Sequence, residues 1–274
     1  MVSVVITTYN RRTFLREAVL SALGQSYGDK EVIVVDDGSQ DGSFDVVRDL
    51  PVRYEWKENG GVSSARNFGI ALARGGYLSF LDVDDLWKRE KLLVQLTRME
   101  DEGFAVSYTD EIWLRNGQWL NQKKRHRKYS GDIYEQCLPL CIISPSSAVI
   151  ERRIFDEVGP FDESLPVCED YDMWLRITSR HPALFVPLPL IVKRGGHADQ
   201  LSRAYPAMDK YRIIALLKML DSGVLDEVQR KRTRVELQKK CMIMAKGAQK
   251  RGKTEEAAYY FSFCQDPKSD LPSS

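Results

Sequence analysis

The sequence predicts an α/β fold, a mainly parallel Rossmann-like sheet flanked by helices, followed by a helical C-terminal appendage. Three observations carry this. Short β-rich apolar runs alternate with amphipathic helical patterns over roughly the first hundred residues, the spacing of βαβ units. The first run, Val2 to Thr7, is continuously apolar or β-branched apart from Ser3, as a strand covered on both faces would be. From Pro206 onward the composition shifts to Lys, Arg, Leu, Met and Ala with helical periodicity.

The elements follow in order. After the first strand, Phe14, Leu15, Ala18, Val19 and Ala22 mark one side of a helix from about Thr13 to Gln25. Glu31 to Val35 reads as a second strand ending in Asp36-Asp37-Gly38-Ser39, and a short helix near 43–49 leads to a third strand at about Val52–Trp56. Gly60-Gly61 and Ser63-Ser64 open a helix that runs to about Ala73. The fourth strand begins at Tyr77 as an apolar run and ends in Asp82, Asp84 and Asp85, three carboxylates within four positions. Side chains alternate along a strand, so Asp82 and Asp84 are expected to project the same way. Carboxylates that close repel and need a cation or nearby donors; a hard divalent ion, Mg2+ or Mn2+, is the natural oxygen-ligated partner. The alternative is a solvated turn capping the next helix, Trp87 to Glu102. Ligands of such sheets bind beyond the carboxyl ends of the strands, where the tips at Thr7-Thr8-Tyr9, Asp36-Asp37 and Asp82 to Asp85 converge.

The second half is less regular. Phe104 to Trp113 reads as a strand, 123–128 is a basic run, and Cys141 to Ile150 is an apolar strand holding Ser144-Pro145-Ser146-Ser147. Cys168 to Arg176 starts a helix with acids in its first turn, and Val186 to Arg194 holds two prolines that confine it to a sheet edge. Three helices are expected at about 207–221, 225–250 and 253–264, then a polar tail. The domain boundaries expected are 1–205, 206–266 and 267–274.

Bulk properties narrow the function. Forty basic against thirty-nine acidic residues leave a net charge of +1, which argues against nucleic acid as a main partner. Five cysteines (137, 141, 168, 241 and 264) without a CxxC pair suit reduced thiols rather than a disulfide framework or a zinc site. The N-terminal residues read as a strand rather than a signal peptide, and no apolar run reaches membrane-span length, so a cytoplasmic protein is expected. The run at 123–128 is read first as a solvated loop and second as a contact with an anionic membrane surface at its inner face. No GxGxxG or GxxxxGK[ST] motif is present, which excludes dehydrogenases and P-loop enzymes.

Five blocks, SVVITTYNR at 3–11, VDDGS at 35–39, NGGVSSARN at 59–67, FLDVDD at 80–85 and EDYDMWLR at 169–176, together resemble the family 2 glycosyltransferases over about residues 3–202. The resemblance implies a GT-A fold, with a nucleotide-sugar half at about 1–112 and an acceptor half at about 113–205. It further implies an inverting, metal-dependent transfer of a sugar from a nucleoside diphosphate sugar, UDP-linked for preference, to a glycan or lipid-linked acceptor, in cell-surface polysaccharide or glycoconjugate synthesis. By the same resemblance Thr7 and Tyr9 line the base, with Tyr9 stacking on it, Asp37 accepts from a base N–H, and Asp36 supports that loop. Arg66 holds the nucleotide and Asp82 lies near the ribose. Asp84 or Asp85 binds the Mn2+ or Mg2+ that bridges the diphosphate. Asp170 is the general base, with Glu169 and Asp172 able to share the work or merely cap the helix. His197 is a candidate Mn2+ ligand or diphosphate partner in a loop closing over the donor. Two competing readings are a nucleotidyltransferase, which lacks its Gly-rich basic loop here, and a degenerate nucleotide-sugar-binding protein acting through its C-terminal helices.

Overall fold

The structure is a computed structural model that describes residues 1–122, 126–196, 205 and 207–264. The chain divides into two compact units, Met1–Ala204 and Tyr205–Ser274.

The first unit is a single mixed sheet of nine strands among the described residues. The strands are β1 (Val2–Thr8), β2 (Lys30–Asp36), β3 (Arg53–Trp56), β4 (Tyr77–Asp82), β5 (Leu86–Trp87), β6 (Val106–Arg115), β7 (Gln118–Trp119), β8 (Ala148–Glu151) and β9 (Leu184–Gly195). They run in the order β3-β2-β1-β4-β8-β6-β9-β5, with β7 hairpinned onto β6. The pairs β3–β2, β2–β1 and β1–β4 are parallel, which fits the buried apolar runs of β1 and β2; at β8 the sheet turns antiparallel. Parallel neighbours need crossovers, supplied by helices α1 (Arg12–Leu23) and α2 (Gly61–Leu72). Helices α3 (Lys91–Glu102), α4 (Tyr134–Cys137), α5 (Arg152–Val158) and α6 (Glu169–Thr178) complete the unit. Helix α2 lies close against β1 because Gly69 faces Val5: a Cβ there would sit 2.3 Å from Val5 Cγ1.

Four expectations are corrected. Cys141 to Ile150 is not one strand, because Pro145 has no N–H for a ladder; Pro145–Ser147 form a 3-10 turn and pairing begins at Ala148. The helix after the acidic cluster starts at Lys91, since Leu86 and Trp87 pair instead with Val192 and Ile191 of β9. β9 is an edge only in part: β5 covers it at Ile191 and Val192, and no described strand lies outside Pro187 and Pro189. Its prolines sit at a bulge, where Thr109 pairs Val186, Asp110 pairs Pro189 and Glu111 pairs Ile191. Finally, β4 ends at Asp82 and the chain turns at once, Asp85 N donating to Asp82 O (2.9 Å), so strand alternation does not extend to Asp84.

Lys91, at the start of α3, is fully buried, its Nζ 3.3 Å from Ser79 Oγ and 4.0 Å from the centre of the Trp87 ring. Burial pushes its amine well below the usual lysine range. Lys91→Met is expected to stabilise the protein at neutral pH by roughly 1–3 kcal/mol, the cost of a poorly bonded buried polar group. A folded state that holds this amine neutral binds fewer protons than the unfolded chain, so wild-type stability rises with pH up to the free lysine pKa. The variant should lose that slope in denaturant titrations between pH 7 and 10; an unchanged slope would contradict the assignment.

The second unit holds α7 (Asp209–Asp221), α8 (Glu227–Lys250) and α9 (Thr254–Ser262). Asp226 begins α8 with a capping box, its carboxylate accepting from Gln229 N while the Gln229 side chain accepts from Asp226 N. Leu237, Cys241, Met244, Ala245 and Ala248 form the buried face of α8, which packs against both α7 and α9.

Candidate functional site

The carboxyl ends of β1, β2 and β4 form one rim because register aligns them: Thr8 pairs Asp36, and Thr7 pairs Asp82. Thr7 is half-buried there, and the Tyr9 ring beyond it is 50% exposed, an aromatic face open to a flat ligand. Asp36 is buried and serves the loop, accepting from Ser39 N (2.7 Å) and from the Tyr54 hydroxyl. Asp37, also buried, is held at the start of α2: Oδ1 accepts from Lys57 Nζ (2.8 Å) and Gly60 N (2.9 Å), and Oδ2 from Gly61 N (2.8 Å). Gly61 has φ +88°, so a side chain there would strain the turn that aims its N–H at Asp37. Oδ2 keeps one lone pair for another donor.

Arg66 is the hub. It is 3% exposed, donates from Nη2 to Asp82 Oδ1 (2.8 Å) and from Nη1 to Glu169 Oε1 (2.7 Å), and lies 5.2 Å from the Phe161 ring centre. Burial opposes its charge, but Asp82, Glu169 and Asp170 outweigh burial and raise its pKa. Glu169 is pushed up to about 7 by burial and by the charge of Asp170, against the pull of Arg66. Cys168, just before it, takes a left-handed conformation (φ 63°), unusual for a non-glycine residue and a local strain that sets the first turn of α6.

Asp170 is half-buried. Its Oδ1 accepts from Tyr171 N (2.7 Å) and its Oδ2 from the Cys141 thiol (3.3 Å). Burial and the adjacent Asp170 raise that thiol well above the usual range, so it remains a donor. Asp172 does not join the cluster. It is fully buried with its carboxylate 2.9 Å from Arg176 Nε, and Arg176 in turn ties α6 to the carbonyls of Val158, Gly159 and Pro160.

The acids after β4 differ in setting. Asp85 is 1% exposed and accepts from Ser146 Oγ (2.7 Å) and Arg194 N (3.2 Å), while burial raises its pKa well above the carboxylate range despite Lys193. Asp84 is half-buried, and no described side chain donates to its carboxylate; burial and repulsion from Asp82 raise its pKa. Such a carboxylate is suited to a cation. No three His, Cys, Asp or Glu side chains form a metal cage among the described residues. A Mg2+ or Mn2+ held by one or two carboxylates and by substrate phosphates needs none, so Asp84 fits such an ion. His197 lies outside the described residues.

Several residues escaped the sequence reading. Ser146 Oγ accepts from Asp82 N (3.1 Å) and donates to Asp85, stitching the turn before β8 to the acidic turn. Lys193 lies on β9; burial disfavours its charge, but Glu111, Asp85 and Asp82 raise its pKa. Arg194 clamps the turn from outside, its Nε donating to Asp84 O (2.6 Å) and its guanidinium pairing with Glu17 of α1. The basic run at 123–128 is not uniformly a surface patch. Lys128 is buried between Glu111 Oε1 (2.9 Å) and Thr109 O (2.9 Å), while burial is outweighed at Glu111 by Lys128, Lys193 and Ser144, which hold it at about 2. Residues 123–125 of that run lie outside the described residues.

Comparisons with known proteins bear on the family and the fold. The model of the family described as Glycosyl transferase family 2 matches residues 3–159. The chain is 40% identical over 188 residues to the putative teichuronic acid biosynthesis glycosyltransferase TuaG of Bacillus subtilis, covering 66% of this chain and 73% of that one. It is 30% identical over 191 residues to the UDP-Glc:alpha-D-GlcNAc-diphosphoundecaprenol beta-1,3-glucosyltransferase WfaP of Escherichia coli, covering 66% and 71%. It spans only 31% of the length of an uncharacterized Rickettsia bellii glycosyltransferase, to which it is 35% identical over 217 residues, 76% of this chain. Among solved structures, S. aureus TarS residues 1–349 in complex with UDP-GlcNAc superposes with a TM-score of 0.67 at 16% identity, covering 98% of this chain and 94% of that one. The Pyrobaculum calidifontis mannosyltransferase PcManGT, solved with GDP-Man and Mn2+, gives 0.60 at 17% identity, covering 96% and 85%. These likenesses carry the fold, and the sequence matches carry the lineage: the chain belongs to the Glycosyl transferase family 2, with the mixed α/β sheet of the GT-A glycosyltransferases.

Proposed function

We propose that this protein is an inverting glycosyltransferase, moving a sugar from a UDP-linked donor to an acceptor hydroxyl on a glycan or lipid-linked glycan of a cell-surface polysaccharide or glycoconjugate. The observation that carries this reading is Arg66. One buried guanidinium joins Asp82, on the strand tip where a nucleotide would lie, to Glu169, beside the half-buried Asp170. Donor and acceptor groups are thereby held at one fixed spacing, as positioning catalysis requires.

In this reading Tyr9 stacks on the base, Thr7 lines the base pocket, and the remaining lone pair of Asp37 accepts from a ring N–H. Asp82 faces the ribose, and Asp84, with His197 as a further candidate, holds a divalent ion. That ion, when bound, neutralises the diphosphate as it leaves. Asp170 accepts the acceptor hydroxyl proton, and the freed oxygen bonds to the anomeric carbon from the side opposite the diphosphate. The bond from that carbon to the diphosphate oxygen breaks, and its electron pair leaves with the nucleotide. A buried Asp85 with both oxygens engaged supports the turn rather than the metal. The UDP donor and lipid-diphosphate acceptor in the WfaP description, and the UDP-GlcNAc complex of TarS, support the uridine choice.

Calorimetric titration with UDP, GDP and dTDP, with and without Mn2+, tests the donor site. UDP is expected to bind only with metal, and Asp84→Ala should weaken it by at least tenfold. Binding of no nucleotide under any metal condition would reduce the reading to the fold. Tight metal-dependent binding without turnover of any UDP-sugar would favour the degenerate binding protein.

A further inference from the structure

The second unit carries a surface that the sheet chemistry does not use. Thirteen Lys and Arg against seven Asp and Glu give residues 205–264 a net charge of +6, where the whole chain carries +1. The excess is organised along α8, whose 24 residues make a rod about 36 Å long. At 100° per residue, Val228, Lys231, Arg232, Val235, Lys239, Met242, Ile243, Lys246 and Lys250 fall on one outward face. That face has five cations and no acid. Within it Val228 is 61% exposed, Val235 41% and Ile243 61%. The acids of α8 lie elsewhere: Glu227 begins the helix, and Glu236 is buried beside Lys240, reaching up to Lys239 at 3.5 Å. The opposite face of the helix carries its contacts with α7 and α9. A cavity of about 310 Å3 opens beside Ile243, walled by Met208, Met244, Arg251 and the ion pair of Arg212 with Asp209.

We propose that the exposed face of α8 docks the protein onto an anionic lipid membrane. The cations spaced along this face match the phosphates of an anionic surface, and Val228, Val235 and Ile243 between them offer local apolar contact. A nucleic acid would reward the cations alone and leave Val228, Val235 and Ile243 in water. The long lysine stems can keep their charges at the headgroups while the aliphatics between them sink. No helix among the described residues is long and apolar enough to cross a membrane, so the contact is one of lying on the surface. The inference does not rest on the transferase reading, and its test contains no sugar nucleotide.

The experiment is co-sedimentation of the full chain with extruded vesicles, either pure phosphatidylcholine or an equal mixture with phosphatidylglycerol, at about 0.1 M and about 0.5 M salt. Binding is expected to the anionic vesicles only and to fall at high salt. The pair Lys239→Gln and Lys246→Gln should weaken it about 30-fold, as the loss of two basic residues near a headgroup surface. The pair Val235→Ser and Ile243→Ser should weaken it at least tenfold with charge unchanged; both variants alter exposed positions, and circular dichroism checks their fold. Equal sedimentation with both vesicle types, or with neither, would overturn the proposal. So would an aliphatic pair that binds like wild type while the lysine pair loses vesicles and a labelled DNA duplex alike, which would mark a general polyanion site.

Discussion

Asp170→Asn is expected to lower kcat by about 10²–10⁴-fold while leaving the affinity for UDP within a factor of two, the usual loss for a positioned general base. The amide is nearly isosteric, and its oxygen can keep the hydrogen bond from Tyr171 N. What it cannot do is accept a proton. Radiolabelled sugar transfer under saturating donor and acceptor, beside calorimetry with UDP, separates the two effects. A kcat within tenfold of wild type would move the proton to Glu169. A parallel loss of UDP affinity would instead show a collapsed site.

Arg66→Met should destabilise the protein by about 3–5 kcal/mol, the range for removing one partner of a buried ion pair. Two carboxylates would lose their counter-charge at once, Glu169 nearly buried and Asp82 partly so. The loss should depend on pH in a defined direction. Glu169 has a folded pKa raised to about 7, so the folded state binds more protons than the unfolded chain between about 4.5 and 7, and this group's contribution declines as pH rises through that window. Without Arg66 the ionised form is costlier still. The variant should therefore lie nearer wild type at pH 5.5 than at pH 8 in urea unfolding. A deficit that is the same at both values would mean that Glu169 does not titrate between them, and a deficit below about 1 kcal/mol would remove Arg66 from its place as the hub.

The parallel half of the sheet was legible because its strands are short apolar runs bounded by turn residues, and because each polar cluster falls at a strand tip. Asp36, Asp37, Arg66, Asp82 and Glu169 were singled out by the family resemblance, and the fold bonds Arg66 to both Asp82 and Glu169. The pattern could not show which oxygens are occupied. Asp85 looks like Asp84 in sequence, yet Ser146 Oγ and Arg194 N, 61 and 109 positions away, engage it and turn it inward. Asp172 differs from Asp170 only by helical phase, which puts it on the buried face beside Arg176. Lys128 reads as one of a basic run until Glu111 is found beneath it. Prolines at 187 and 189 suggested an edge strand because a bulge, the other place where proline fits a sheet, depends on a partner's register.

The bond from Arg66 to Glu169 joins residues 103 positions apart, while that to Asp82 spans only 16. Closing the longer loop costs more chain entropy, and contacts of such separation form late in folding. During synthesis, the strands through β4 can pair long before α6 leaves the ribosome. Until then the guanidinium has one carboxylate to answer instead of two, so the Arg66 bridge closes only after α6 has been made.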